Sequence, residues 1–267
     1  MNLAENLSLS AAKTPEAAAV RLDDEVRSYR ALDDASARVA GLLASRGVGP
    51  GDRVGIMLPN VPLFPIIYYG ILRLGATVVP MNVLLKGRET AHYLKDPGAK
   101  AVFAWQAFAE HAQTGAAEAG AECIEAEPEG FARLLQDAEP HTAVTPRDGS
   151  ETAVILYTSG TTGVPKGAEL SHDNLAHNCR AAAGLFGIGA ATVTLGALPL
   201  FHSFGTAASL GFKPQWILQG PAFVEQLITK DGSLKATPTP VAAALKGALV
   251  TSFSAPWDDP DAPGMRQ

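Results

Sequence analysis

The chain has 267 residues, a formal net charge of −6, 47% hydrophobic and 18% charged residues, and a mean hydropathy of +0.09. This composition fits one or two folded domains rather than a disordered chain, and an acidic balance with no Lys/Arg run interleaved with aromatics argues against nucleic acid as a partner. Two cysteines, Cys123 and Cys179, make no disulfide framework and point to a reduced, cytoplasmic setting.

Met1–Lys13 has no basic region followed by a long apolar core, so it does not read as a secretory signal. Val20–Leu22 and Val26–Tyr29 flank Asp23-Asp24-Glu25 and predict a hairpin. Asp33 or Asp34 then caps a helix with Ala37, Ala40, Leu42, Leu43 and Val48 as its apolar residues and Gly47 where its C-cap would be. Val54–Leu58 reads as a buried strand. Val61–Pro80 is the most apolar stretch, but Pro62, Pro65, Gly70, Arg73 and Gly75 interrupt it. It reads as a buried helix near 64–74 and a strand at 77–79, with Tyr68 and Tyr69 in the core, not as a transmembrane segment.

Helices near 87–95, 107–118 and 129–138 alternate with strands at 101–104 and 123–124. Alternation of this kind predicts an α/β fold, a mostly parallel sheet flanked by helices. A polar link over 139–150 leads into the strand Thr152–Leu156, and Ser171 starts the next helix. Leu195–Leu198 is a strand leading to His202. Residues 1–210 form the folded part; 211–267, with recurring prolines, read as a divergent, poorly ordered tail.

The chemistry concentrates in Tyr157-Thr158-Ser159-Gly160-Thr161-Thr162-Gly163-Val164-Pro165-Lys166-Gly167. Glycines let backbone N–H groups approach an anion. The hydroxyls of Thr158, Ser159, Thr161 and Thr162 add neutral donors, and Lys166 adds a mobile charge. A strand, this loop and a helix suit phosphate. The spacing is not that of the common P-loop: counted from Gly160, Pro165 takes the second glycine position and Gly167 follows the lysine. His172, His177 and Cys179 lie at i, i+5 and i+7 of one helix, which does not gather three metal ligands on one face. His92, His111 and His141 read as surface residues, and Asp52 and Arg53 as turn chemistry.

These eleven residues resemble the phosphate loop of the adenylate-forming superfamily. Gly47–Val54, Leu58-Pro59-Asn60, Leu74-Gly75-Ala76, Val79–Asn82 and Leu198–Gly205 are similar to further segments of that family, so the resemblance runs from about residue 14 to about residue 207. It implies the incomplete N-terminal domain of the adenylate-forming fold. It further implies ATP-dependent activation of a small-molecule carboxylate to an acyl-adenylate, and then to a thioester with coenzyme A as co-substrate. The segments look most like fatty acyl-CoA ligases. By the same resemblance Thr158, Ser159, Gly160, Thr161, Thr162, Gly163 and Lys166 hold ATP, Thr158 helps hold Mg²⁺, and His202 lines the acyl pocket beside the reacting carboxylate.

The family's Gly-Gly-Ala, Tyr-Gly-x-Thr-Glu and Thr-Gly-Asp segments and its C-terminal catalytic lysine have no counterpart in residues 206–267. Truncation, with a frameshift near 206–215, is the expectation, and with it weak or absent activity of this chain alone. Self-association through exposed sheet edges is expected with it. The alternative is a nucleotide- or partner-binding remnant without turnover.

Overall fold

The computed structural model describes residues 1–158, 164–186, 188, 192–196, 198–202 and 215–218. A short helix, α1 (Glu5–Lys13), precedes the antiparallel hairpin β1 (Ala18–Leu22) and β2 (Glu25–Ser28). Sequence patterning gave no sign of α1. Asp23, with φ of 51°, turns the hairpin. Helix α2 (Tyr29–Ser45) starts four residues before Asp33, because Ser28 Oγ accepts the Ala31 N–H at 3.2 Å and caps it. Asp33 is therefore inside the helix and has another task, described below. Gly47, at φ 75°, ends the helix as expected.

The next elements follow the predicted alternation: β3 (Arg53–Met57), α3 (Leu63–Arg73), β4 (Thr77–Pro80), α4 (Gly87–Lys95), β5 (Ala99–Trp105), α5 (Ala109–Ala119, entered through one 3-10 turn), β6 (Glu122–Ala126) and α6 (Pro128–Gln136). Then come β7 (Thr152–Thr158), β8 (Lys166–Ser171), α7 (His172–Phe186), β9 (Val193–Gly196) and β10 (Gln215–Leu218). One sheet runs β6-β5-β3-β4-β7-β8, parallel except for the β7–β8 hairpin at its edge. The other runs β2-β1-β10-β9, with β10 parallel to both neighbours. Strand β10 lies beyond residue 210. The expected disorder of the tail concerns residues that, from 219 on, lie outside the described set.

Successive residues of the central strands point to opposite faces, and both faces are buried. Val54, Ile56, Val78 and Phe103 pack with Phe64, Ile67, Ile71 and Leu43 of α2 and α3. Met57, Val79 and Val102 pack with Leu94, Ala112 and Ala116 of α4 and α5. Every residue of α3 is buried. Tyr68 and Tyr69 meet edge to face at 5.6 Å within it, as core residues. At Gly70 a side chain would place its Cβ 2.5 Å from Val39 Cβ, so glycine sets the closeness of α2 to α3. Among the described residues no helix is long and apolar enough to cross a membrane.

The last residue of α3, Arg73, is 2% exposed. Its guanidinium pairs with Asp33 and donates to Ser36 Oγ at 3.2 Å, to Ser8 Oγ at 3.0 Å and to the Thr142 carbonyl. Ser8 Oγ also donates to Asp33 at 3.1 Å. One cation thus ties α1, α2 and α3 to the 139–150 link. Arg73→Met leaves Asp33 half-buried without its partner. It is expected to cost about 3 kcal/mol in urea unfolding, with part recovered in Arg73→Met/Asp33→Asn.

His172 is 1% exposed, and its Nδ1 accepts the Leu3 N–H at 3.1 Å. Burial, reinforced by Arg147 and the N-terminal ammonium, pushes its pKa down to about 4, against the pull of Glu151 and Asp173. The unfolded chain therefore binds this proton between about pH 6.5 and pH 4 while the folded chain does not. The contribution is complete above pH 6.5 and is lost as pH falls toward 4. Wild type is expected to lose on the order of 3 kcal/mol more than His172→Asn over this window in pH-dependent urea titrations, since Asn accepts the same N–H without titrating.

Candidate functional site

The site grows from the carboxyl end of β7. Burial falls along this strand, from Ala153, Val154 and Ile155 inside to an exposed Thr158. The chain does not pass from the loop straight to a helix, as the sequence suggested. It returns as β8, with Thr158 opposite Lys166 in antiparallel register. The alternation rule missed β8 because Lys166–Glu169 are exposed and carry no apolar period. Gly167 is where β8 crosses the Tyr157 side: a Cβ there would sit 2.8 Å from Ile155 Cγ2 and 3.2 Å from Tyr157 Cζ. Helix α7 then starts at His172, one residue after the predicted Ser171, which caps it: Ser171 Oγ accepts the Asn174 N–H while Asn174 Oδ1 accepts the Ser171 N–H, each at 3.1 Å.

A cavity of about 650 Å³ lies against the carboxyl ends of β4 and β7. In open parallel sheets ligands bind outside the carboxyl ends of the strands. Leu85, Leu156, Leu170 and Phe201 supply apolar walls. Asn82, Glu89, Thr158 and His202 supply polar groups. Two of the residues singled out from the sequence, Thr158 and His202, therefore line one cavity although 44 positions separate them. Lys166, the register partner of Thr158, is exposed. Ser159, Gly160, Thr161, Thr162 and Gly163 lie outside the described residues.

His202 is delivered by Asn60. Its Nδ2 donates to the Gly196 carbonyl at 2.9 Å and the Leu198 carbonyl at 2.8 Å, and its Oδ1 accepts the Leu200 N–H at 2.9 Å. Leu200 is fully buried, and the His202 N–H donates to the Pro199 carbonyl at 3.0 Å. Asn60 was legible only as part of a Leu-Pro-Asn segment, with no role attached.

A second group missed from the sequence stands at the loop's root. Tyr157 stacks on Tyr93 at 4.2 Å and 26° and donates its hydroxyl to Asp96 Oδ2 at 2.5 Å. Burial first, then Asp96, pushes the Tyr157 phenol well above its ordinary pKa, so it remains a donor. His92, read as a surface residue, is half-buried. Its ring lies edge-on to Tyr93 and Tyr157, and its Nε2 is 3.0 Å from the Pro165 carbonyl.

The metal reading of α7 separates in space: His172 and Cys179 are buried and His177 is exposed. Among the described residues no three His, Cys, Asp or Glu side chains gather to hold an ion. Asp52 and Arg53 do turn chemistry. Asp52 Oδ2 accepts the Gly49 N–H at 2.8 Å and pairs with Lys100, and Arg53 donates to the carbonyls of Gly51 and Gly98.

Residues 7–212 match the family described as AMP-binding enzyme. A feruloyl-CoA synthase from Amycolatopsis sp is 36% identical over 198 residues, which is 74% of this chain and 38% of that protein. ATP-bound MatB from Rhodopseudomonas palustris superposes with a TM-score of 0.76 at 29% identity, covering 85% of this chain and 47% of that one. The inhibitor-bound N-terminal domain of FACL13 from Mycobacterium tuberculosis gives 0.76 at 27% identity, covering 84% and 59%. The chain spans less than half the length of the first two. With its parallel sheet, its β7–β8 hairpin and this match over residues 7–212, the chain belongs to the AMP-binding enzyme family.

Proposed function

We propose that this chain carries the phosphate-binding and carboxylate-facing part of an ATP-dependent acid-activating site. The reaction joins a carboxylate to the α-phosphate of ATP, expels pyrophosphate, and passes the acyl group to the thiol of coenzyme A with release of AMP. The observation that carries the reading is that Thr158, at the root of the Gly/Thr loop, and His202 line the same cavity.

Both reactants are anions, so the site must screen charge and hold them in line. Thr158 ends a rigid strand with its side chain at the cavity, a neutral oxygen of the kind a hard cation takes beside phosphate. Mg²⁺ bound there would spread the polyphosphate charge. Ser159 to Gly163 would supply donors to the β- and γ-phosphates, and Lys166 would follow the leaving pyrophosphate as a point charge. His202 would orient the carboxylate toward the α-phosphate. The apolar walls suit an aliphatic or aryl body, and a fatty acid is the substrate class we favour.

A second reading, nucleotide binding without turnover, rests on Lys166 standing exposed opposite Thr158, a phosphate grip that needs no acid substrate.

ATP–pyrophosphate exchange on the purified chain, with short, medium and long fatty acids and a feruloyl-type aryl acid, tests the proposal. Since these residues supply only that part of the site, weak acid-dependent exchange is expected, with Lys166→Ala lowering kcat/KM for ATP by roughly 100-fold. MgATP binding without exchange would select the second reading. A folded sample that does neither would sink both.

A further inference from the structure

The loop spanning 159–165 is joined to the sheet by two roots, and helix α4 touches both. At the first root, Tyr157 is held from one side by the Tyr93 ring and at its hydroxyl by Asp96. At the second, the Pro165 carbonyl faces His92 Nε2 at 3.0 Å. A carbonyl oxygen only accepts, so this imidazole nitrogen carries the proton. His92 and Asp96 are four residues apart, on one face of a helical turn, with Tyr93 beside them. The histidine also contacts Tyr157 edge-on at 5.8 Å. His92 and Tyr93 of α4, Asp96 capping its carboxyl end and the two roots thus form one connected set.

Helix α4 is itself fixed. At Gly115 of α5 a Cβ would fall 2.6 Å from Thr90 Cβ, so the two helices are in close contact, and Lys95 pairs with Glu118 at 2.8 Å. Its amino end is closed by Glu89 Oε2, which accepts the Lys86 N–H at 2.8 Å. A rigid element therefore grips a glycine-rich segment at both ends.

We propose that His92 is a positioning residue for the phosphate loop, clamping its Pro165 root to α4 while Tyr93 and Asp96 clamp the Tyr157 root. The inference rests on the loop binding phosphate, as proposed above. Ordering backbone around an anion costs conformational entropy. Fixing both roots in advance lowers that cost and leaves more of the contact energy for binding. His92 touches neither nucleotide nor acid in this scheme and acts through Pro165.

Lys166 follows Pro165 directly, so trypsin reads the clamp without requiring activity. The full chain is compared with His92→Phe, which keeps the ring contacts and removes the donor, and with His92→Gln, which offers an amide N–H in its place. Cleavage after Lys166 is expected to accelerate roughly three- to tenfold in the Phe variant, the worth of one hydrogen bond, and to return toward wild type in the Gln variant. Cleavage after Arg27 and the melting temperature should stay unchanged. The KM for ATP, or the MgATP dissociation constant by calorimetry, should rise by a similar factor in His92→Phe with kcat retained.

Equal cleavage in all three proteins would overturn the clamp. So would acceleration at every tryptic site with a fall in Tm, which marks general loosening, or failure of Gln to restore. Faster cleavage after Lys166 with unchanged MgATP affinity would overturn the positioning role. If wild type neither binds MgATP nor exchanges pyrophosphate, the proposed function falls, and the cleavage rates still decide whether His92 holds the loop.

Discussion

A charged side chain at the end of a wholly buried helix constrains this fold more than any other single group. Every residue of helix α3 is buried, yet it ends in Arg73. A buried guanidinium is tolerated only when its donors are filled and its charge is matched. Asp33, Ser36, Ser8 and the Thr142 carbonyl meet that requirement, and each comes from a different stretch of chain or a different turn. The same corner is closed from the other side. Asn2 Nδ2 donates to the carbonyls of Leu72 and Thr145, and the Thr145 N–H donates to the Arg73 carbonyl. The amino terminus and the 139–150 link are thereby fixed to one point.

The consequence reaches the site. The link anchored at Thr142 and Thr145 feeds directly into β7, and the Thr77 hydroxyl donates to the Thr152 carbonyl at 2.9 Å where β7 enters beside β4. Once that entry is set, the strand's parallel path fixes where Thr158 emerges. The hairpin then returns Lys166 to a position opposite Thr158. A polar accounting made at the buried end of α3 thus determines, one strand length away, where the loop's first hydroxyl stands.

Close approach is the other recurring device. Gly70 draws α2 onto α3, Gly55 leaves room for Met81 and Val102 between β3 and its covering layer, and Gly167 lets β8 lie against Ile155 and Tyr157. In each case the glycine serves its neighbour's side chain and not an unusual backbone dihedral. The apolar layers on both sheet faces are therefore dense, and the cavity lies at the carboxyl ends of β4 and β7 with Glu89 and Tyr93 of α4 in its wall.

Local pattern alone determined a large part of this protein. The period of the apolar residues placed β3 through α6 within a few positions, because strands buried on both faces and helices buried on one write their burial into composition. The Gly/Thr run and its lysine, with the segments around them, carried the family. Tertiary structure decided what local pattern could not. Ser28 caps α2, and Asp33 inside that helix pairs instead with Arg73, forty residues away. Strand β8 forms because β7 offers it an edge, although its own residues are exposed. Asn60 and His92 gain their tasks only from carbonyls more than seventy residues distant, at Gly196, Leu198 and Pro165. The physical reason is the same throughout. Burial on one element is periodic and can be read locally, whereas a hydrogen bond between distant elements depends on where both arrive, and a single sequence does not record that meeting.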